Sequence, residues 1–194
     1  MSVAELTTPV SRAKRLKAGT HTEHDQVDNL VMGSRPFESL ERYALFLRLQ
    51  YQFHGALRDL YSDVDLNRQL PGLANLSRFQ AVEADLRDLD LPVPNAPQAA
   101  PVTSPYAALG WLYCSEGSNL GAAFLFKETK RLDLDETHGA RHLAAHEVGR
   151  AQNWRAFVAQ LDAIELTPEQ DQQVIAGACA AFDFYRSALN QVFH

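Results

Sequence analysis

GWLYCSEGSNLGAAFLF, residues 110–126, is the centre of the most apolar segment of the chain. Ser104 and Pro105 precede it, and serine at an N-cap followed by proline in the first turn is typical of a helix start. We therefore predict a helix over 105–131. Interior glycines cost a helix about 1 kcal/mol each relative to alanine, so some interaction must offset three of them. The three are Gly110, Gly117 and Gly121.

The glycine spacing leaves two explanations open. Close helix–helix packing, in which small residues four apart let two backbones approach, is the one that spacing alone favours. A flat ligand lying against the helix backbone is the other. Ser118 and Asn119, beside the glycines, either bond the helix's own carbonyls or support a small polar ligand or ordered waters.

The rest of the chain also has helical periodicity, without a hairpin signal of the Asn-Gly type. A capping box, Thr167-Pro168-Glu169-Gln170, opens a last helix that ends near Val192. The other predicted helices cover 11–32, 39–61, 76–89 and 150–164, separated by a turn at 67–72, a stiff proline-rich loop at 91–105 and an irregular segment at 135–149. We therefore predict an all-α fold with one domain over 1–194, whose residues 1–10 are flexible.

Composition narrows the function classes. The net charge of −6 argues against a nucleic-acid-binding protein, because phosphate contacts need a basic surface. No segment approaches 18 uninterrupted apolar residues, and the first ten residues lack the apolar region of a signal peptide, so we expect no membrane span and a cytoplasmic protein. Two cysteines do not make a disulfide framework, which fits a reducing compartment. We expect a monomer.

His24 is the main candidate ligand of the first predicted helix. It lies on an apolar stripe, and Asp28, four residues on, can accept from one ring N–H and fix the tautomer. This pairing favours His24 over His21, which lies off the stripe and for which we expect no such acid four residues on. Lys17 lies two turns before His24, roughly 10 Å along a continuous helix. A lone histidine on such a stripe is more often a core residue than a ligand.

Other polar residues have two interpretations each. Gln50 and His54, one turn apart, are either polar residues at a helix edge or members of a buried network that holds water. The histidines of the irregular segment, spaced by four, suggest a metal site, but we favour a solvated loop; they are His138, His142 and His146. Cys114 lacks a basic neighbour that would lower its pKa, so we expect a buried thiol.

Two long segments resemble a known family. LKAGTHTEHDQVDNLVM, residues 16–32, and GWLYCSEGSNLGAAFLFK, residues 110–127, resemble the corresponding segments of bacterial haem oxygenases such as the neisserial and pseudomonad enzymes. Shorter matches are FLRLQYQFH, GARHL and NWRAF, and the resemblance runs in order from about residue 12 to residue 193. It implies a haem oxygenase-like helical fold with haem sandwiched between a proximal and a distal helix.

The resemblance also implies roles for individual residues. His24 matches the proximal iron ligand and Asp28 its carboxylate partner. Gly117 and Gly121 match glycines of the distal helix that lie against haem and bound oxygen, where Ser118 and Asn119 adjoin them. Lys17 and Tyr113 match groups near the haem propionates. The residues that match members of the distal water network are Gln50, His54, Arg78 and Trp154.

The activity that the resemblance implies is oxidative haem cleavage. Haem b is both cofactor and substrate, O₂ is the oxidant, and the products are biliverdin, with α opening expected, CO and Fe²⁺, which serves iron acquisition. Electrons come from an external donor, such as a ferredoxin or flavodoxin-type reductase system. A basic cluster either docks that donor or is an ordinary solvated helix end; its members are Arg12, Lys14, Arg15 and Lys17. The alternatives are a haem-trafficking protein without turnover and a thiaminase-type hydrolase with a cysteine nucleophile.

Overall fold

The computed structural model describes residues 10–95 and 97–194, and within them the fold is all-α, as predicted. The only pairing of strand type in this part of the chain is an isolated bridge between Asp135 and Gly139. The expected flexible segment, apart from Val10, lies outside the described residues. The helices are α1 Arg12–Gly19, α2 His21–Gly33, α3 Leu40–Ala56, α4 Arg58–Ser62, α5 Val64–Gln69, α6 Phe79–Asp88, α7 Pro105–Thr129, α8 Arg150–Ala163 and α9 Pro168–Phe193, with short 3₁₀ turns at Leu73–Leu76, Lys130–Leu132 and Arg141–Leu143.

The predicted helix starts are confirmed by their caps. The Ser104 hydroxyl accepts from the Ala107 N–H at 3.1 Å, with Pro105 in the first turn of α7. At the start of α9, Thr167 and Gln170 each accept from the other's backbone N–H, which is the predicted capping box. The N-terminal starts of α7 and of α9 are therefore both fixed by local sequence.

Three predicted boundaries were wrong. The first predicted helix breaks at Thr20, whose hydroxyl donates to the Leu16 carbonyl at 2.8 Å while its backbone leaves the helical region. The second ends at Ala56, and α4 follows as a separate short helix. Half of the predicted turn at 67–72 belongs to α5, because the Asp63 side chain accepts from the Leu66 N–H and caps that helix.

Helix α7 packs mainly on α9, at a point where two glycines let the backbones touch. A Cβ on Gly110 would lie 2.0 Å from the Val174 carbonyl oxygen, and one on Gly177 would lie 2.1 Å from the Ala107 carbonyl oxygen. Real Cβ atoms never come this close to backbone. The packing explanation therefore holds for Gly110.

Two apolar clusters flank the middle of the bundle. One centres on Trp111, Leu112 and Leu161, and the other on Tyr43, Phe46 and Leu86. Helix α3 contributes to both, with Leu47 in the second cluster and Phe53 in the first. None of the helices in the described residues has the length and apolar character that a membrane crossing demands.

Candidate active site

Gly117 and Gly121 differ from Gly110 in what they face. Among the described residues, a Cβ on Gly121 would have no atom within 4 Å, and one on Gly117 would meet only the Trp154 ring, at 3.6 Å and 3.7 Å, which is ordinary contact. Helix packing therefore does not account for these two glycines. The stripe of small residues on α7 packs against α9 at one end and lies open at the other.

The open part of α7 is apolar. Leu120 and Phe124 flank Gly121, and their side chains are 40% and 53% exposed. On the other side, Tyr113 and Trp154 contact each other with ring centroids 5.5 Å apart. Burial raises the pKa of Tyr113 to about 12, so its hydroxyl stays a hydrogen-bond donor at neutral pH. An exposed apolar surface beside two glycines, where a ligand can approach the helix backbone, suits a flat apolar ligand.

His24 lies on α2, which packs on α9. Its side chain is 60% exposed, so it is not a core histidine. The Nδ1 atom lies 3.3 Å from the Asp28 Oδ2, and the ring meets Phe182 of α9 edge-on, with centroids 5.9 Å apart. With Nδ1 occupied by the carboxylate, Nε2 is the nitrogen left to bind a metal ion.

His21 has an equivalent carboxylate partner, contrary to expectation. Its Nδ1 lies 3.2 Å from the Asp25 Oδ2, the same i,i+4 spacing as the His24–Asp28 pair. A carboxylate four residues on therefore does not distinguish the two histidines. Their surroundings do, because the His24 ring packs on Phe182 of α9, while the His21 side chain is 74% exposed.

The basic cluster before His24 is smaller than the sequence suggests. Arg12 is buried; its Nε lies 2.6 Å from an Asp171 oxygen, and its guanidinium also donates to the Leu161 and Ile164 carbonyls. Arg15 binds the other Asp171 oxygen at 2.5 Å. Both arginines hold α1 to α9, so Lys14 and Lys17 are the members left exposed. Lys17 lies on α1, before the break at Thr20, and not on one continuous helix with His24.

Gln50 and His54 are buried, so the helix-edge interpretation is wrong for both. The Gln50 amide donates to the Tyr185 hydroxyl at 2.8 Å. Burial, with smaller contributions from His142 and Arg78, lowers the pKa of His54 to about 3, so its ring is neutral. The His54 Nδ1 has no hydrogen-bond partner among the described residues.

His54 belongs to an interior polar cluster that we define as His54, Arg78, Glu116, His142 and His146. Arg78 is 9% exposed, and neither its Nε nor its Nη2 has a hydrogen-bond partner among the described residues. Burial lowers the pKa of Arg78, an effect that Glu116 opposes and that Arg150 adds to. Buried polar groups without protein partners are typically satisfied by ordered water. This is the region that the sequence associated with a water network.

The sequence analysis missed Glu116, although an acidic residue inside the most apolar helix was visible in the sequence. Its side chain is 1% exposed. The Tyr61 hydroxyl donates to Oε1 at 2.5 Å, and the amides of Asn119 and Asn153 approach Oε2 at 3.4 Å. Burial raises the pKa of Glu116 to about 7, against the opposing effects of Tyr61 and Arg78.

His142 corrects the solvated-loop interpretation of the three spaced histidines. It is 2% exposed, and its Nδ1 lies 2.7 Å from an oxygen of Asp85, which is wholly buried. Asp85 also accepts from the backbone N–H groups of Arg141 and His142, and so ties the irregular segment to α6. His146 is half-buried and only His138 is exposed. Within the described residues no group of side chains suited to a metal ion was found.

The two polar residues beside the glycines behave differently. Ser118 is exposed, and its hydroxyl donates to the Ser115 carbonyl of its own helix at 2.7 Å. Asn119 is buried and reaches Glu116, while its carbonyl accepts from Arg150 at 2.8 Å. Ser118 therefore bonds a carbonyl of its own helix, which was one of the two predicted alternatives. Asn119 is instead part of the buried surroundings of Glu116.

Comparisons with known proteins give the family of the chain. The family model described as "Heme oxygenase" matches residues 10–191. The chain belongs to the haem oxygenase family. Heme oxygenase PigA of Pseudomonas aeruginosa is 46% identical over 94% of this chain and 93% of its own length. The NO- and CO-bound heme oxygenase of Neisseria meningitidis is 49% identical, with a TM-score of 0.91 over 95% of this chain and 92% of that one. Heme oxygenase-1 of the cyanobacterium Synechocystis, solved with heme, shares the fold at 16% identity with a TM-score of 0.75 over 94% of this chain and 92% of that one.

Membership of the haem oxygenase family settles the choice between the alternatives, since it makes the chain a haem-degrading enzyme. Cys114, the candidate nucleophile of the hydrolase alternative, is also unsuited to that role. Burial raises the pKa of the Cys114 thiol well above its usual range, and its sulfur donates to the Ala178 carbonyl at 3.4 Å. Cys114 is thus the buried thiol that we expected.

Proposed function

We propose that His24 is the proximal ligand of haem b, and that the haem lies between α2 and the open face of α7 at Gly117 and Gly121. The observation that carries this proposal is the empty space around a Cβ on Gly121, in the same helix in which a Cβ on Gly110 would clash with the backbone of α9. The exposed His24 ring on α2, a helix that packs on α9 as α7 does, supplies the ligand. The apolar Leu120 and Phe124 suit the porphyrin.

The residues present fit the group. His24 binds iron through Nε2, and Asp28 holds the ring in the tautomer that leaves this nitrogen unprotonated. Gly117 and Gly121 keep side chains away from the opposite face, which leaves room for O₂. When bound, the haem supplies both the iron that activates O₂ and the porphyrin that is opened.

The interior polar cluster includes Glu116, which directly precedes Gly117 on α7, and it provides hydrogen-bond donors. Among the described residues, the Arg78 guanidinium has buried N–H groups without a protein partner, and the Gln50 amide donates to the Tyr185 hydroxyl. We assign Gln50, His54, Arg78 and Trp154 to holding ordered waters that deliver protons to the glycine face. Lys17 and Tyr113 are assigned to the haem propionates. Asn119 supports the cluster through Glu116, whereas Ser118 has only its own helix as partner.

The remaining features of the reaction are part of the same proposal. The products are biliverdin, opened at the α position, CO and Fe²⁺. Electrons come from an acidic ferredoxin or flavodoxin-type reductase that approaches the exposed Lys14 and Lys17, since opposite charge speeds association. We place the enzyme in the cytoplasm as a monomer.

The test is turnover by the purified protein. Haemin is added, the Soret band is recorded, and ascorbate or a ferredoxin system is supplied in air. Decay of the Soret band into a biliverdin spectrum, with the α isomer identified by chromatography, supports the proposal. A Soret band that persists under both donors contradicts the catalytic part, and a β or δ isomer contradicts the regiochemistry alone.

Gly121→Ala is expected to distinguish a role of this glycine in the reaction from a role in the stability of the helix. The apo-protein should be more stable by about 0.5–1 kcal/mol, because alanine favours the helix and its Cβ meets no protein atom. The rate of biliverdin formation should fall about tenfold or the isomer ratio should change, because the methyl group enters the space assigned to O₂. Urea unfolding and product analysis measure the two effects.

Gly33→Ala is the matched control. Gly33 ends α2, and a Cβ there also meets no protein atom within 4 Å. This variant should leave turnover and isomer ratio unchanged. If Gly121→Ala turns haem over as the wild type does, the open glycines have no catalytic meaning and the proposed position of haem is wrong.

A further inference from the structure

Glu116 is a buried carboxylate without a directly paired cation. Among the described residues, no Lys, Arg or His nitrogen lies within 4 Å of its oxygens, and its hydrogen bonds come from neutral groups. The closest of these is the Tyr61 hydroxyl, at 2.5 Å. Burying an ionised carboxylate without a paired cation is costly, so the group is poised between its neutral and charged forms.

Arg78 is the complementary case. It is a buried cation with unbonded nitrogens, and it interacts with Glu116 without contacting it. Other charged or titratable side chains near this pair are Tyr61 from α4, Arg150 from α8, His54 from α3, and His142 and His146 from the irregular segment. The pKa values of His54 and His146, lowered mainly by burial to about 3 and about 4, keep both rings neutral near pH 7. The charge opposite Arg78 is therefore decided by Glu116.

We propose that Glu116 is a positioning residue of the reaction, which holds a proton beneath the glycine face of α7 and, by gaining or losing it, sets the charge that Arg78 meets in the interior polar cluster. When Glu116 is ionised, the Arg78 guanidinium is oriented towards it. When Glu116 is protonated, the guanidinium lacks its counter-charge and the donors assigned to the glycine face rearrange. The inference rests on the proposed position of haem at that face.

The apo-protein tests whether the proton is held, independently of haem. The pKa of Glu116 is raised from 4.5 to about 7 in the folded protein, so the folded state binds more protons than the unfolded state between these values. Stability is then lost as pH rises from about 4.5 to about 7 and stays constant above. Glu116→Gln should remove this loss, and it should remove one carboxylic-acid band from the infrared spectrum at pH 6.

Two further variants serve as control and alternative. Ser115→Ala removes the other hydrogen bond of the Tyr61 hydroxyl without changing charge, and should leave the titration in place. Tyr61→Phe removes the hydrogen bond that lowers the pKa of Glu116, so the infrared titration should move to higher pH. Tyr61→Phe keeps the proposal testable if Glu116→Gln does not fold.

The haem complex tests whether the proton matters to the reaction. Biliverdin yield per O₂ consumed should show an inflection near pH 7 in the wild type and in Ser115→Ala, and none in Glu116→Gln. The acid–alkaline transition in the ferric spectrum should fall by on the order of half a pH unit in Glu116→Gln, because removing a negative charge favours the alkaline form.

The outcomes separate the two proposals. Apo-protein titrations of wild type and Glu116→Gln that superimpose overturn the held proton. A normal apo titration with pH profiles and spectral transitions that do not differ between the two proteins overturns the role in the reaction. Failure of haem to bind at His24 contradicts the proposed function while the apo titration still reports on Glu116.

Discussion

Replacing His24 with alanine is expected to lower the rate of biliverdin formation at least about 100-fold. Loss of an outer-shell partner of a metal ligand typically costs 10–100-fold, and loss of the ligand itself costs more. The ferric complex should still form, because the apolar face of α7 remains, but its spectrum should show altered axial ligation. The apo-protein should keep its stability, since the His24 side chain is largely exposed. Absorption and resonance Raman spectra with and without added imidazole measure the ligation.

His21→Ala is the matched control for this experiment. His21 lies on the same helix and has the same carboxylate arrangement, with Asp25 in place of Asp28. Its replacement should leave ligation and turnover unchanged. Spectra that change in His21→Ala and not in His24→Ala would move the ligand to His21 and overturn the assignment. Imidazole should restore the spectrum of His24→Ala only.

Gly110→Ala is expected to destabilise the apo-protein by about 3 kcal/mol or more, the upper range for overpacking a core. The new methyl group would lie 2.0 Å from the Val174 carbonyl oxygen and 2.5 Å from the Ala178 nitrogen. These are backbone atoms of α9, so no side-chain rotation relieves the clash, and α7 must separate from α9. Urea unfolding monitored by circular dichroism measures the change.

Comparison with Gly121→Ala makes the experiment decisive. Both substitutions add one methyl group to the same helix, yet one should destabilise the protein and the other stabilise it slightly. Gly177→Ala, on the opposite side of the contact, should behave like Gly110→Ala, because its Cβ would meet Ala107 backbone. Equal stabilities for Gly110→Ala and Gly121→Ala would contradict the division of the glycines into a packed and an open group.

Local features of the fold were predictable from the sequence. The caps at Ser104 and Thr167 depend on a few neighbouring residues, and each lies where the sequence placed it. The breaks at Thr20 and Leu57 were not predicted, because the periodicity continues through them. At Thr20 the break goes with a local hydrogen bond from the side chain to the Leu16 carbonyl, which a pattern of apolar spacing does not register.

Most of the wrong predictions at the site concern polar residues that were expected to be exposed and that the structure buries. Arg12 and His142 are polar residues in polar stretches of sequence, and both are buried because a carboxylate distant in the chain meets them, Asp171 for Arg12 and Asp85 for His142. Such pairings have no local signal. The role of each glycine in α7 was ambiguous for the same reason, since it depends on whether the glycine faces the backbone of α9. Glu116, by contrast, was detectable, because a charge within an apolar helix needs an explanation.

The packing of α1 and α2 has a consequence for how the protein is made. Helix α2, which carries His24, packs on α9, and α1 is held to the same helix through Asp171. The α9 partners of the N-terminal helices are thus synthesised last, 159 residues later in the case of Arg12 and Asp171. A nascent chain that still lacks residues 168–193 has no α9 on which α1 and α2 can pack. Docking of the two N-terminal helices is therefore a late event, governed by contacts of long sequence separation, which form slowly.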